Sequence, residues 1–280
     1  MPDDAAPCPE IRSLARQPRA VGVARVSAKG RDGGSVLDGL FQSGASRVLL
    51  PRPVGPRLDA VSLNTAGGVT GGDRFALEAS AGVGSHLGVT TQGAERIYRA
   101  QPGETAQVTT RLTVEAGARL DWLPQETILF EGAALTRRLT AELAEDACLL
   151  LVEPLVVGRT AMKEEVHAAR LHDHLRIHRG GELVFADSIR LEGDIARHLD
   201  RSAIGGGARA AAAVLYVAPD AEARLDRLRS GLVGSAGASL IRPGVIFARI
   251  LARDSYLLRK TLIPAIRQLS DTDLPRPWTL

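Results

Sequence analysis

The residues with most capacity for chemistry are acids set among apolar neighbours. Asp121 and Glu126 lie in 119-RLDWLPQE-126, Glu131 in 128-ILFEGA-133 and Glu153 in 149-LLLVEPLVVG-158, and Asp73 closes 64-NTAGGVTGGD-73. Charged residues are rarely buried unless they are paired or working. Glu153 sits in the most hydrophobic run of the chain, so a functional or interface role is expected for it first. Asp121 alternates with Leu120 and Trp122, so a strand there would turn its carboxylate to solvent.

Three further groups could carry chemistry. His167, His172, His174 and His178 are four of the six histidines, within twelve positions. On a strand, His172, His174 and His178 would share one face, and imidazole with carboxylate suits nickel or zinc. There is no cysteine partner and no HExxH pattern, so a solvated strand that binds metal adventitiously is the plainer reading. The glycine-rich stretch 64–73 resembles a phosphate loop only superficially. A Walker A loop needs a lysine after its last glycine, and here Gly72 is followed by Asp73 and Arg74. No helical pattern follows either, as a dinucleotide fold would require. A tight turn between strands is expected. The segment 90-TTQGAERIYR-99 has hydroxyls, Gln92 and Glu95, but no histidine placed as a base, which a nucleophilic triad needs. Arg96, Tyr98 and Arg99 are residue types that interfaces favour, and they are the candidate partner-binding residues.

The elements that must position these groups are mostly strands. In 106-AQVTTRLTVEAG-117 the apolar Val108, Leu112 and Val114 alternate with Gln107, Thr109, Arg111 and Thr113, the period-two pattern of a half-buried strand. The segment 175–191 reads as a hairpin around Gly180-Gly181. A faint repeat runs through this region. Gly84, Leu87, Val89 and Gln92 match Gly117, Leu120, Trp122 and Gln125 at an offset of 33. Likewise 111-RLTVEAGARL-120 resembles 138–149 with two residues inserted. Recurrence near thirty residues predicts a β-helix-like stack of short strands, against chance similarity in an Ala/Gly/Leu-rich chain. Two helices are expected late, at about 219–234 and 254–270, with Asp254 as the N-cap of the second and Pro264 kinking it. The predicted class is mostly β (α+β): a tail over 1–18, then a single β-rich domain over 19–280.

Composition narrows the function. The 280 residues carry 35 basic and 32 acidic side chains, a formal charge of +3, and aromatics are 4%. Neither a nucleic-acid footprint nor a base-stacking platform is expected from these values. Cys8 and Cys148 are the two cysteines, too few for a disulfide framework, so a reducing compartment is expected. The N-terminus has no apolar signal region, and Glu153 and Pro154 interrupt the best membrane-spanning candidate. A cytoplasmic protein with no membrane and no nucleic-acid partner is the expectation.

The strings NTAGGVTGGDRF, VTTQGAERIYR, ARLDWLPQETILFEGA, LLLVEPLVVGRTAM, GGELVFADSIRLEGDI and VLYVAPDAEARLDRLR, with the terminal LPRPWTL, closely resemble the urease accessory protein family UreD (UreH in some lineages). The resemblance covers about residues 20 to 280. It implies a largely β, helix-like stack with a small helical part, and a protein that is not an enzyme. It further implies action with a helical accessory protein, UreF, and a nickel-binding GTPase, UreG, on urease apoprotein, to deliver nickel to the buried active site. The resemblance also implies that no cofactor is held tightly and that contact with Ni2+ is transient. Within the matching motifs the acids Asp73, Glu95, Asp121, Glu126, Glu131 and Glu153 become the candidates for metal passage or docking. Oxygen ligands hold a divalent ion weakly enough to release it, whereas a Cys/His cage would retain it. The alternative is a purely structural bridge in the same complex that never touches nickel. A third possibility, a hydrolase built on Thr90 to Glu95, predicts turnover by the purified chain. The histidine cluster and Cys8 fall outside the family motifs.

Overall fold

The computed structural model describes residues 17–159, 162 and 164–279. Residues 1–16 of the predicted tail, Cys8 among them, lie outside the described residues.

Among the described residues, seventeen strands form two sheets facing one another. The first sheet takes β1 (Val21–Arg31), β2 (Gly34–Gly44), β5 (Arg74–Ala81), β8 (Ala106–Val114), β11 (Ala134–Leu143), β13 (Ala169–Arg179) and β14 (Glu182–Gly193), in the order β14-β13-β11-β8-β5-β1-β2. The second takes β3 (Ser46–Leu49), β4 (Leu58–Asn64), β6 (His86–Thr91), β9 (Arg119–Leu123), β12 (Cys148–Val157), β15 (Ala210–Val217), β16 (Ser235–Arg242) and β17 (Val245–Ala252), in the order β16-β17-β15-β12-β9-β6-β4-β3. The short β7 (Glu95–Ile97) and β10 (Thr127–Leu129) extend this second sheet, β10 pairing with both β7 and the far end of β12. The middle strands of both sheets run parallel, while hairpins close the edges. Chain passing repeatedly from one parallel sheet to the other builds the expected β-helix-like stack.

The repeat is a physical register. Leu87 lies beside Leu120 and Val89 beside Trp122, at the offset of 33 visible in the sequence. The second repeat is corrected by two residues. Arg111 lies beside Thr140 rather than Arg138, and Leu120 beside Leu149, so the offset is 29 throughout and no insertion is needed. A two-residue slip preserves the face a side chain points to, which is why the mismatched comparison still identified the strand.

Between the sheets, Leu112, Leu120, Leu139, Leu149, Leu151 and Ile177 belong to one apolar core. A second core, including Leu150, Val152, Val214, Tyr216, Leu258 and Ile266, lies where helices cover the outer face of the second sheet. These helices are α2 (Ala221–Gly231) and α3 (Ser255–Leu269), within the two expected ranges. Asp254 caps α3 by accepting from the Leu257 amide at 2.8 Å. The helix runs unbroken through Pro264. A short α1 (Ile195–Asp200) was not expected; its signal is Asp194, which accepts from the Arg197 amide at 3.0 Å. The hairpin at Gly180-Gly181 forms as expected, both residues having positive φ (58° and 82°), as a tight primed turn requires.

Candidate functional site

Strand parity places charge inside this core. On β12 the inward row Leu149, Leu151 continues to Glu153; on β11 Arg137 lies between inward Leu135 and Leu139; on β13 Asp173 lies between inward Leu171 and Leu175. Successive strand residues alternate faces, so each of these three charges occupies an apolar position. They meet. Arg137 Nη1 stands 2.5 Å from Glu153 Oε2, and Arg137 Nη2 lies 2.5 Å from Asp173 Oδ2, with Nε donating to Asp173 Oδ1 at 3.0 Å. Trp122 Nε1 donates to Glu153 Oε1 at 2.7 Å, and Arg137 also donates to Thr127 Oγ1 at 3.0 Å. The Arg137 contact with Glu153 Oε2 is a charge contact without hydrogen-bond alignment, and that oxygen has no hydrogen-bond donor. Burial raises the Glu153 pKa and Asp173 adds to the rise, while Arg137 and the Trp122 indole oppose it.

Arg137 and Glu153 lie at a waist between two internal spaces and line both of them. On one side is a cavity of about 450 Å³ between the sheets, whose wall includes Asn64, Gly68, Glu95, Thr110, Trp122 and Glu153. On the other is a space of about 20 Å³ whose wall includes Arg137, Glu153, Asp173, Asp187 and Arg249, the last two pairing at 2.5 Å. Glu95, on the wall of the larger cavity, receives Asn64 Nδ2 at 3.3 and 3.5 Å. Burial pushes its carboxyl up to about 7, against the Asn64 hydrogen bond and Arg96. Near neutral pH, Glu95 is therefore divided between a neutral acid and a carboxylate.

The glycine-rich stretch forms part of this wall. Asn64 folds it by accepting from the Ala66 amide at 2.9 Å and donating to the Gly68 carbonyl at 2.9 Å. Gly68, at φ 150°, lets the backbone pass against the Tyr98 ring, where a Cβ would collide. Asp73 lies away from the cavity. Its Oδ1 accepts from the Ala20 amide and its Oδ2 from the Thr70 amide, each at 2.8 Å, tying the start of β1 to the turn before β5.

The other candidate acids are dispersed. Asp121 does point outward from β9, but the outer face is covered there, and the expectation of solvent is corrected. The side chain is 0% exposed and pairs with Arg119 at 2.9 Å, His86 at 2.8 Å and Arg57 at 3.5 Å. Burial alone would raise its pKa; Arg119, His86 and Arg57 together outweigh that and hold it at about 2. Arg119 reaches on to Asp271 and the Leu269 carbonyl, and Arg57 to Thr272 and the Asp273 carbonyl, so the cluster fastens the chain leaving α3. Glu126 receives Arg259 of α3 at 2.6 and 2.9 Å. Glu131 accepts from the His167 and Ala168 amides at 2.8 and 3.1 Å. Of the acids put forward from the sequence, Glu95 and Glu153 line the cavity; Asp73, Asp121, Glu126 and Glu131 do not.

Arg96, Tyr98 and Arg99 are all exposed, with Tyr98 edge-on to Phe130 at 5.2 Å between ring centres. His172, His174 and His178 share the outer face of β13, as the spacing predicts. His172 pairs with Glu192 at 2.5 Å, His178 with Glu142 at 3.0 Å, and His174 lies 3.2 Å from Ser188 Oγ. Among the described residues, no three His, Cys, Asp or Glu side chains converge to hold a metal ion. Among the described residues, no helix is long and apolar enough to cross a membrane. Arg137 and Asp173 were missed by sequence reasoning, although a charge at the parity of flanking apolar residues marks both.

Comparison with known proteins gives the family. The family model described as UreD urease accessory protein matches residues 20–279. Proteins named urease accessory protein UreD are similar along nearly the whole chain. That of Roseobacter denitrificans is 49% identical over 266 residues, covering 94% of this chain and 96% of its own. That of Ruegeria pomeroyi is 52% identical over 246 residues, covering 88% and 96%, and that of Azorhizobium caulinodans 44% over 269 residues, covering 95% and 98%. With the family model matched over residues 20–279 and relatives of that name at 44–52% identity, this chain belongs to the UreD urease accessory protein family.

Proposed function

We propose that this chain is a non-catalytic accessory of urease maturation that conducts nickel through its interior to urease apoprotein. In this reading it works in the cytoplasm, in a complex with the helical partner UreF and the GTPase UreG, and holds no cofactor tightly. The observation that carries it is the pair of internal spaces that share Glu153 on their walls, with Glu95 lining the larger. Glu153 Oε2 has no aligned hydrogen-bond donor and is met by the Arg137 guanidinium, so a passing cation would compete with that contact for it. A conducting site must bind well enough to admit an ion and weakly enough to release it, and isolated carboxylates meet that need better than a closed cage. Asp73, Asp121, Glu126 and Glu131 are already engaged by amides or arginines, so we assign them to holding the fold and its docking surfaces. GTP hydrolysis belongs to the partner, since no phosphate loop is formed by 64–73.

The bridging alternative is favoured by one observation: Arg137 stands against Glu153, and its charge repels an incoming cation. Arg96, Tyr98 and Arg99 would then matter for assembly alone. Co-expression of urease with a Glu153→Ala chain separates the readings, when nickel content and pull-down of the complex are measured together. Intact assembly with reduced nickel in urease is expected; full nickel loading would remove Glu153 from the route.

A further inference from the structure

We propose that Arg137 is a displaceable internal cation that holds the place of a divalent metal ion between Glu153 and Asp173. This rests on reading the cavity as a cation passage. One guanidinium touches both carboxylates, at 2.5 Å each, and the three side chains are 10 to 14% exposed. Two buried carboxylates this close to one another need a positive charge between them, because desolvation and mutual repulsion otherwise drive one to take up a proton. Arginine supplies that charge permanently, since it does not deprotonate in proteins.

Its hold on the two acids is unequal. Asp173 receives a forked pair of hydrogen bonds from Nε and Nη2, whereas the contact with Glu153 Oε2 lacks alignment and leaves that buried oxygen without a donor. Glu153 is thus the partner more easily released. The guanidinium also has somewhere to go: Thr127, which already accepts from Nη1 at 3.0 Å, lines the 450 Å³ cavity beside it. With Arg137 swung aside, Glu153 and Asp173 present two anionic oxygen ligands to a hydrated dication. When the ion leaves, the guanidinium returns. Occupancy by arginine and by metal exclude one another, so the wild-type waist admits an ion without retaining it.

The test is Ni2+ binding to the purified full-length chain by isothermal titration calorimetry. Arg137→Met removes the charge at similar length, and its affinity for one Ni2+ should rise at least tenfold over wild type. Adding Glu153→Gln to that variant should abolish the gain. If Arg137→Met does not fold, Arg137→Lys serves instead: its ammonium cannot span both carboxylates, and a smaller gain, again dependent on Glu153, is expected. A folded Arg137 variant with wild-type affinity, or a gain that survives Glu153→Gln, overturns the proposal. The measurement needs no urease, so failure here is distinct from full urease loading beside Glu153→Ala, which would defeat the nickel passage itself.

Discussion

Asp121→Asn should cost the fold several kcal/mol while leaving the passage intact. The carboxyl is fully buried and titrates at about 2 in place of the ordinary 3.8, a difference equivalent to about 2 kcal/mol. A carboxyl whose pKa is depressed by folding stabilises above its unfolded value. That contribution is therefore full above about pH 5 and is lost as pH falls toward about 2. Asparagine would also leave Arg119 and Arg57 with less compensating charge, and breaking a buried ion pair from one side costs about 3–5 kcal/mol. Urea denaturation of both chains at a series of pH values measures each part. The parent should lose stability steeply below about pH 4, and the variant should start lower at neutral pH with a shallower acid limb. Because Asp121 faces away from the cavity, folded Asp121→Asn chains should still support nickel loading of urease. A loss below about 0.5 kcal/mol at neutral pH, or an unchanged acid limb, would refute the clamp assigned to this cluster.

The opposite sign is expected at Glu95. Its carboxyl is raised from 4.5 to about 7, so its stabilising contribution is full below about pH 4.5 and lost as pH rises through 7; Glu95→Gln should melt higher than the parent at pH 8 and alike near pH 4. Trp278 is 2% exposed and donates its indole N–H to the Leu123 carbonyl at 2.9 Å, so Trp278→Ala should cost about 3–5 kcal/mol in urea denaturation. Gly68→Ala would press a methyl against the Tyr98 ring and to 2.9 Å of the Arg96 carbonyl oxygen at a φ of 150°. A loss of about 1–3 kcal/mol is expected, partly relieved by Tyr98→Ala, as thermal melts of the two variants would show.

The parts of the fold that rest on local period were legible in the sequence. The match of Leu87 to Leu120 became a strand register, and Asp254 capped the helix it was expected to start. The short α1 escaped because six residues carry little periodic signal. Glu153 stood out as an acid in an apolar run, but its neighbours Arg137 and Asp173 lie side by side on two strands of the facing sheet, which only the sheet pairing and the packing of one sheet on the other bring to it. Asp121 shows the complementary failure. Alternation gave its direction correctly, yet could not show that the C-terminal chain folds back over that face. Strand parity reports the side of a sheet, whereas burial depends on what later covers it.

The account centres on an interior route, and a steric plug tests that most directly. Thr110, 5% exposed, faces the large cavity from β8, and Thr110→Trp would fill part of the space without changing charge. Nickel content of urease matured beside this variant, with assembly of the complex measured in parallel, is the decisive quantity. The account predicts an assembled complex and urease that is poor in nickel. An assembled complex with fully loaded urease would contradict it.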